Sequence, residues 1–287
     1  MAVYKRGYER YSGPRTGRFT RLMAMPRFAW RRLFEQRLIV IALIVSLFWP
    51  AMCALFIYVS NHSELWEGLG AGGLSQLLNI NANFFFVFLG WQATFAMIVA
   101  ALAGPGLIAP DLSNNALPLY FSRPMTRWEY VLSRLFVLVG LLSMFTWVPG
   151  LALFFMQTGM AGVDWAWANL NIAAVLVAGG LGWILLVSLV ALASSAWVKW
   201  RMVAGAVVLG FFFISAGVAQ MVKAIFRSDT SQIFNPAVLM LTLWRSGLGL
   251  PAVPGPSPAA AAGALAILFA LLVLVLERKL RAVEVVK

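Results

Sequence analysis

The 287-residue chain is 62% hydrophobic and only 11% charged, with a formal net charge of +12. Soluble domains run near 45–50% apolar and about 25% charged, so this composition argues against a soluble enzyme, a disulfide-stapled secreted domain and a free nucleic-acid binder. Uncharged stretches at 38–61, 68–110, 135–163, 165–198, 202–222 and 246–276 are each long enough to cross the hydrocarbon core, which takes about 20 helical residues. The predicted fold class is an all-α polytopic membrane protein.

Residues 1–19 are basic, polar and punctuated by Gly and Pro, and read as a mobile N-terminus. Residues 20–37 read as an amphipathic interfacial helix. Leu22, Met25, Ala29 and Leu33 recur every three or four positions, and Trp30 and Phe34 widen that face. Arg27 and Arg31 lie away from it, and Glu35 stands four residues after Arg31. Pro26 is expected in the first turn of this helix or at a bend. The six-helix transmembrane domain is placed at 38–276, with spans at about 38–60, 83–104, 130–157, 170–197, 202–222 and 258–276, followed by a tail at 277–287. Pro50 is expected to kink the first span without ending it.

Charge sets the expected orientation. The Lys and Arg residues ahead of the first span, Arg123, Arg127, Arg134, Lys199, Arg201 and the tail residues Arg278, Lys279, Arg281 and Lys287 fall on one side. Only Lys223, Arg227 and Arg245 fall on the other. The positive-inside bias therefore puts both termini in the cytoplasm, as six spans require. The net positive charge is a topology and lipid-anchoring signal, and no nucleic-acid partner is expected. The first apolar run starts too late for a cleavable signal peptide.

The single cysteine, Cys53, falls inside a span, which excludes an intrachain disulfide. His62, near Glu64 and Glu67, reads as part of a hydrated loop, and no metal site is predicted.

The connection 104–134 is far longer than a turn requires and is rich in apolar residues, including Leu107, Ile108, Leu112, Leu117 and Leu119. Pro105 and Pro110 are expected to end the second span, and Asp111-Leu-Ser-Asn-Asn to cap and turn a short helix. Thr126 and Glu129, three apart, predict a capping box at the start of the next helix. Trp128 and Tyr130 are expected at headgroup level.

The run LIAPDLSNNALPLYFSRPMTRWEYVLSRL resembles the cytoplasmic coupling region of type-2 ABC transporter permeases. The pieces that carry the resemblance are Asp111, Asn115-Ala116-Leu117, Phe121-Ser122-Arg123-Pro124, Thr126-Arg127 and Trp128-Glu129-Tyr130. Asp replaces the commoner Glu, and Asn115-Ala116 stands where Gly-Thr is frequent. The amphipathic helix before the first span, the six spans and a longer excursion before the last span extend the likeness to about 20–280.

The resemblance implies a bacterial inner-membrane subunit that couples to an ATPase through Asp111, Asn114, Asn115, Leu117, Arg123, Arg127 and Glu129. It implies two ABC ATPase subunits as partners and a second permease subunit, identical or homologous. ATP and Mg would bind in those ATPases, with no cofactor on this chain.

The residues themselves agree with a chain lacking its own ATPase site. No G-x-x-x-x-G-K-[S/T] sequence occurs, and GLGAGG at 68–73 lacks the lysine. H-E-x-x-H, Cys-x-x-Cys and a Ser-centred nucleophile elbow are missing too. Almost no ionisable residue falls within the spans, which argues against an ion-coupled carrier.

Gln92, Thr94, Thr146, Gln157 and Ser188 are the candidate substrate-path residues; interhelical hydrogen bonding is the competing role for each. Ala100-x-x-x-Gly104 and Ala178-x-x-x-Gly182 predict close helix packing. Phe84–Phe86 and Phe211–Phe213 suit lipid or subunit contact. An apolar path would suit a lipid-like or amphipathic substrate. Residues 223–257 predict a short capping helix and a proline-rich return. A membrane scaffold that holds a cytoplasmic partner, or a secondary carrier, is the alternative function.

Overall fold

A computed structural model describes residues 17–62, 79–114, 116 and 126–281. Its helices are α1 (Arg18–Phe34), α2 (Arg37–Ser60), α3 (Ala82–Ala103), α4 (Pro105–Ser113), α5 (Arg127–Ser143), α6 (Trp147–Ala161), α7 (Val163–Ala168), α8 (Leu170–Trp197), α9 (Arg201–Phe226), α10 (Pro236–Gly247) and α11 (Pro258–Arg281). A 3₁₀ helix, Asp229–Phe234, joins α9 to α10. Among the described residues there is no β-strand. Among those residues, six helical stretches are long and apolar enough to cross a membrane: α2, α3 with α4, α5 with α6, α8, α9 and α11. The chain is a polytopic six-helix membrane protein.

The prolines behave differently from one another. Pro50 is buried inside an uninterrupted α2. Its missing N–H leaves the Ser46 carbonyl without a helical donor. Gln92 of α3 fills the vacancy, donating from Nε2 to Ser46 O at 3.2 Å. Gln92 is completely buried, so its role here is to hold α2 on α3. Gln92→Leu should cost about 1–3 kcal/mol, because the buried carbonyl then loses its donor. A thermal melt in detergent measures this, and an unchanged midpoint would show that Ser46 O is satisfied some other way.

Helix α3 ends at Ala103, within a residue of the expected end before Pro105, but the apolar stretch runs on through α4 to Ser113. Gly104 keeps helical angles (φ −58°, ψ −47°) and Pro105 takes the first position of α4, where its missing N–H has no helical partner to lose. Pro110 lies inside α4. Beside it, the Ser195 hydroxyl of α8 accepts from Ala109 N–H at 2.9 Å and donates to Pro105 O at 3.1 Å. One side chain thus bridges the two backbone groups that a helical turn would join.

The third span breaks instead. Residues 144–146 interrupt it, with Thr146 at φ −94°, ψ −97°. Pro149 removes the donor that would reach Phe145 O and crowds that carbonyl. The Thr146 hydroxyl returns to Leu142 O at 2.8 Å, and Trp147 Nε1 donates to Ser143 Oγ at 2.8 Å.

Helix α8 is the hub. It touches α3, α4, α5, α6, α9, α10 and α11, and 61% of its apolar stretch is buried against 17% for α11. Trp183 at its middle donates to Ala93 O at 2.9 Å. Small residues set the close approaches. A Cβ on Gly104 would stand 2.6 Å from Ala191 Cβ, as Ala100-x-x-x-Gly104 predicts. On α8 the tight positions are Gly179, under the Trp244 indole, and Gly180, under Trp147. Gly182, the expected one, meets only the end of Met240 at 3.4 Å.

The excursion before the last span is more than a cover. Met240 meets Gly182, Trp244 meets Gly179, and Val175 meets Gly247, so α10 runs antiparallel to the first half of α8. Leu239, Met240 and Trp244 are buried, and Trp244 sits edge-on to Trp183 with centroids 6.3 Å apart. Asn235 caps α10 by accepting from Ala237 and Val238 N–H. The aromatic triplets split between core and periphery. Phe85 and Phe212 are core residues, whereas Phe213 is 68% exposed.

Candidate functional site

The 104–134 connection leaves and rejoins the bundle at a cluster of three side chains. Asp111 sits in the last turn of α4, while Tyr130 and Arg134 lie one turn apart on α5. Arg134 Nη2 donates to Asp111 Oδ2 at 2.5 Å, and Tyr130 OH donates to the same oxygen at 2.8 Å. The guanidinium also lies 5.2 Å from the Tyr130 ring centroid, within cation–π range. Arg134 and Asp111 side chains are only 10% and 17% exposed. Desolvating two charges is costly, so such a pair persists only with good geometry and additional hydrogen bonds. Here the Tyr130 hydroxyl supplies one.

The Asp111-Leu-Ser-Asn-Asn stretch does end a short helix, α4, at Ser113 with Asn114 as its C-cap, while the Asp111 side chain itself accepts from the arginine. Tyr130 is fully buried among its neighbours, and its hydroxyl binds the Asp111 carboxylate. Trp128, 47% exposed, keeps a peripheral position.

Helix α5 starts as its sequence predicts. Glu129 N–H donates to Thr126 Oγ1 at 3.2 Å, and Thr126 N–H donates to Glu129 Oε2 at 2.8 Å. This reciprocal pair satisfies two of the orphan amides at the helix start. Glu129 also lies in the first turn, where a negative charge meets the positive end of the helix. Arg127 opens α5 and is half-buried; Asn114 ends α4 and is exposed. Ala116 N–H returns to Asp111 O at 2.8 Å. Asn115, Leu117 and Arg123 lie outside the described residues.

The same end of the bundle gathers two further contacts. Helix α1 packs along α5, with Ala29 and Leu33 buried and Arg27, Arg31 and Arg32 exposed. Trp30 Nε1 donates to Val137 O at 3.0 Å, and the indole lies across Gly140, where a Cβ would come within 2.4 Å of the ring. Pro26 stands in the interior of α1, not in its first turn. Arg31 pairs with Glu35 at 3.7 Å on the exposed face. Arg201, at the start of α9, donates to Gln36 Oε1 and to Leu102 O, the latter at 3.3 Å. It ties the α1–α2 junction to the end of α3.

The candidate path residues are dispersed. Gln92 holds the Ser46 carbonyl. Thr94 is exposed and donates within its own helix to Gly90 O. Thr146 is spent on the helix break. Gln157 accepts from Asn61 Nδ2 at 2.8 Å, joining α6 to the end of α2. Ser188 is buried, and its hydroxyl has no hydrogen-bond partner. No hydrogen bond joins any two of these five among the described residues.

Arg134 and Arg201 were read from the sequence only as topology markers, and Tyr130 as a headgroup anchor. One signal was available for Arg134: a charge eight residues into a span-forming helix has to be paired, and of the two carboxylates that precede it in this connection Glu129 belongs to the capping box, which leaves Asp111.

A comparison with protein-family models finds no match, and a search of curated proteins finds none either. Fold and site together define an all-α multi-pass membrane protein whose architecture is compatible with transport. One end of its bundle is organised around a buried ion pair.

Proposed function

We propose that this chain is the membrane-spanning subunit of an ATP-driven transporter, of the type-2 ABC permease kind, exporting or translocating a lipid-like or amphipathic substrate. The observation that carries the reading is the Asp111–Tyr130–Arg134 cluster. It fixes both roots of the 104–134 connection to one another, so force applied to that connection reaches α4 and α5 together. Through Ser195 and α8 it also reaches the centre of the bundle. A segment of that size on so firm a base suits a docking surface for a cytoplasmic ATPase. The sequence contains no P-loop, so in this reading hydrolysis falls to that partner, and the positive-inside bias supports a cytoplasmic docking end.

In this mechanism the ATPase dimer closes on ATP. The closure enters through the connection and the start of α5, where Asn114, Asn115, Arg123, Arg127 and Glu129 make the contacts, some of them charge-assisted. Two permease subunits then shift against one another to open a path between them.

Affinity purification of the tagged protein from its own cells, in mild detergent, tests the reading. A stoichiometric P-loop ATPase is expected, with hydrolysis abolished by mutation of its Walker lysine. Asn114→Trp adds bulk at an exposed position and should leave membrane insertion intact. An interfacial contact worth about 1–2 kcal/mol predicts a roughly tenfold fall in permease-stimulated hydrolysis. Unchanged stimulation would overturn the coupling role. Failure of any ATPase to co-purify would favour a scaffold holding a different cytoplasmic protein.

A further inference from the structure

Helices α2 and α3 border an open apolar crevice of about 310 Å³ lined by Trp49, Met52, Cys53, Phe56, Phe84 and Val87. The four α2 residues fall at i, i+3, i+4 and i+7, so they form one continuous strip of that helix. Aromatic pairs close both ends. Phe56 stacks on Phe84 with centroids 5.6 Å apart, and Trp49 meets Trp91 at 5.5 Å. The seven residue steps from Trp49 to Phe56 span about 10 Å of helix. Just below, the Gln92–Ser46 hydrogen bond holds the two helices together.

We propose that this crevice is a binding site for an acyl chain of a resident bilayer lipid. Its mouth lies between Met52 and Val87, 39% and 43% exposed, on the outer surface of two membrane spans. Leu55 and Trp91 flank it and are exposed as well. The medium outside such a mouth is hydrocarbon. Water needs two to four polar partners to occupy a cavity, and these walls are apolar almost throughout. An empty space would leave the wall atoms without dispersion partners, while three aromatic side chains in the wall resist collapse into it. A flexible hydrocarbon chain satisfies the shape, the chemistry and the supply. The assignment is independent of the transport reading, since it needs neither a partner nor nucleotide.

The test uses the full chain, purified and reconstituted without other proteins in vesicles of phosphatidylethanolamine and phosphatidylglycerol. A small fraction of the lipid carries a diazirine in mid-chain, and adducts are mapped by peptide mass spectrometry after irradiation. Residues 49–56 and 84–87 should label several-fold more than Ile267 and Leu271, which are simply exposed on α11. Val87→Trp fills the mouth from an exposed position, so folding is spared. It should bring crevice labelling down to the α11 level while leaving α11 unchanged. Met52→Trp should do the same from the other wall. Crevice labelling no greater than that of α11, or undiminished in both variants, would overturn the proposal. So would crevice labelling that disappears as the protein-to-lipid ratio rises, since that would place a second copy of the chain in the crevice.

Discussion

Replacing Arg134 by Met is expected to destabilise the bundle by about 3–5 kcal/mol, the cost of leaving one partner of a buried ion pair unpaired. Asp111 is only 17% exposed, so water cannot replace the guanidinium on its carboxylate. Tyr130 would remain as a single neutral donor. The double variant Asp111→Leu with Arg134→Met should recover most of the loss, because neither charge is then stranded. Tyr130→Phe removes one hydrogen bond and should cost less, about 1–3 kcal/mol. Thermal unfolding in detergent ranks the three. If the single Arg134 variant melts within a degree or two of the parent, the pair does not anchor the connection, and the mechanical basis of the coupling proposal goes with it.

Gly205→Ala is the second large effect expected. A methyl group there would come 2.6 Å from the Ala101 carbonyl oxygen. That neighbour is backbone inside a helix and cannot rotate away. Helix α9 would have to back off from α3, and overpacking of this kind costs about 1–3 kcal/mol. Close backbone approach through small residues is a main source of helix association in lipid, where no hydrophobic drive separates protein from solvent. Gly217→Ala, on the same helix with nothing within 4 Å, is the control and should be neutral or slightly stabilising, since Ala is the better helix former. Equal melting of the two variants would refute the close-packing role of Gly205.

Helix lengths and their order were readable from hydropathy because composition reports the surrounding medium residue by residue. The fourth span matches its observed helix, Leu170–Trp197, and the others begin or end within a few residues of expectation, apart from the longer ends at Ser113, Ala161, Phe226 and Arg281. The capping box was legible because Thr126 and Glu129 are local to each other. What sequence could not supply is the rotational register of one helix against another. Pro50 announces a free carbonyl, yet nothing in the sequence says that Gln92, 46 residues away, answers it. Pro105 and Pro110 look like stops until Ser195 is placed between Ala109 and Pro105. Pro149, less conspicuous in an apolar run, stands just past a second helix break, at residues 144–146. Asp111 and Arg134 form the clearest case. Each was visible as a charge, one as a candidate cap and the other as a topology marker. Their pairing depends on α4 continuing α3 past Gly104.

The position of α8 in the chain has a consequence for how the protein is made. Domains and their elements emerge from the ribosome N-terminus first, and α8 is the fourth span to be synthesised. Until it arrives, α3 lacks the indole that donates to Ala93 O, α4 lacks the Ser195 hydroxyl at its Ala109–Pro105 turn, and Gly104 has nothing to pack on. Helices α2, α3 and α5 therefore wait in the bilayer as a loose group held by contacts such as Gln92–Ser46. Release of residues 170–197 is the event that locks them.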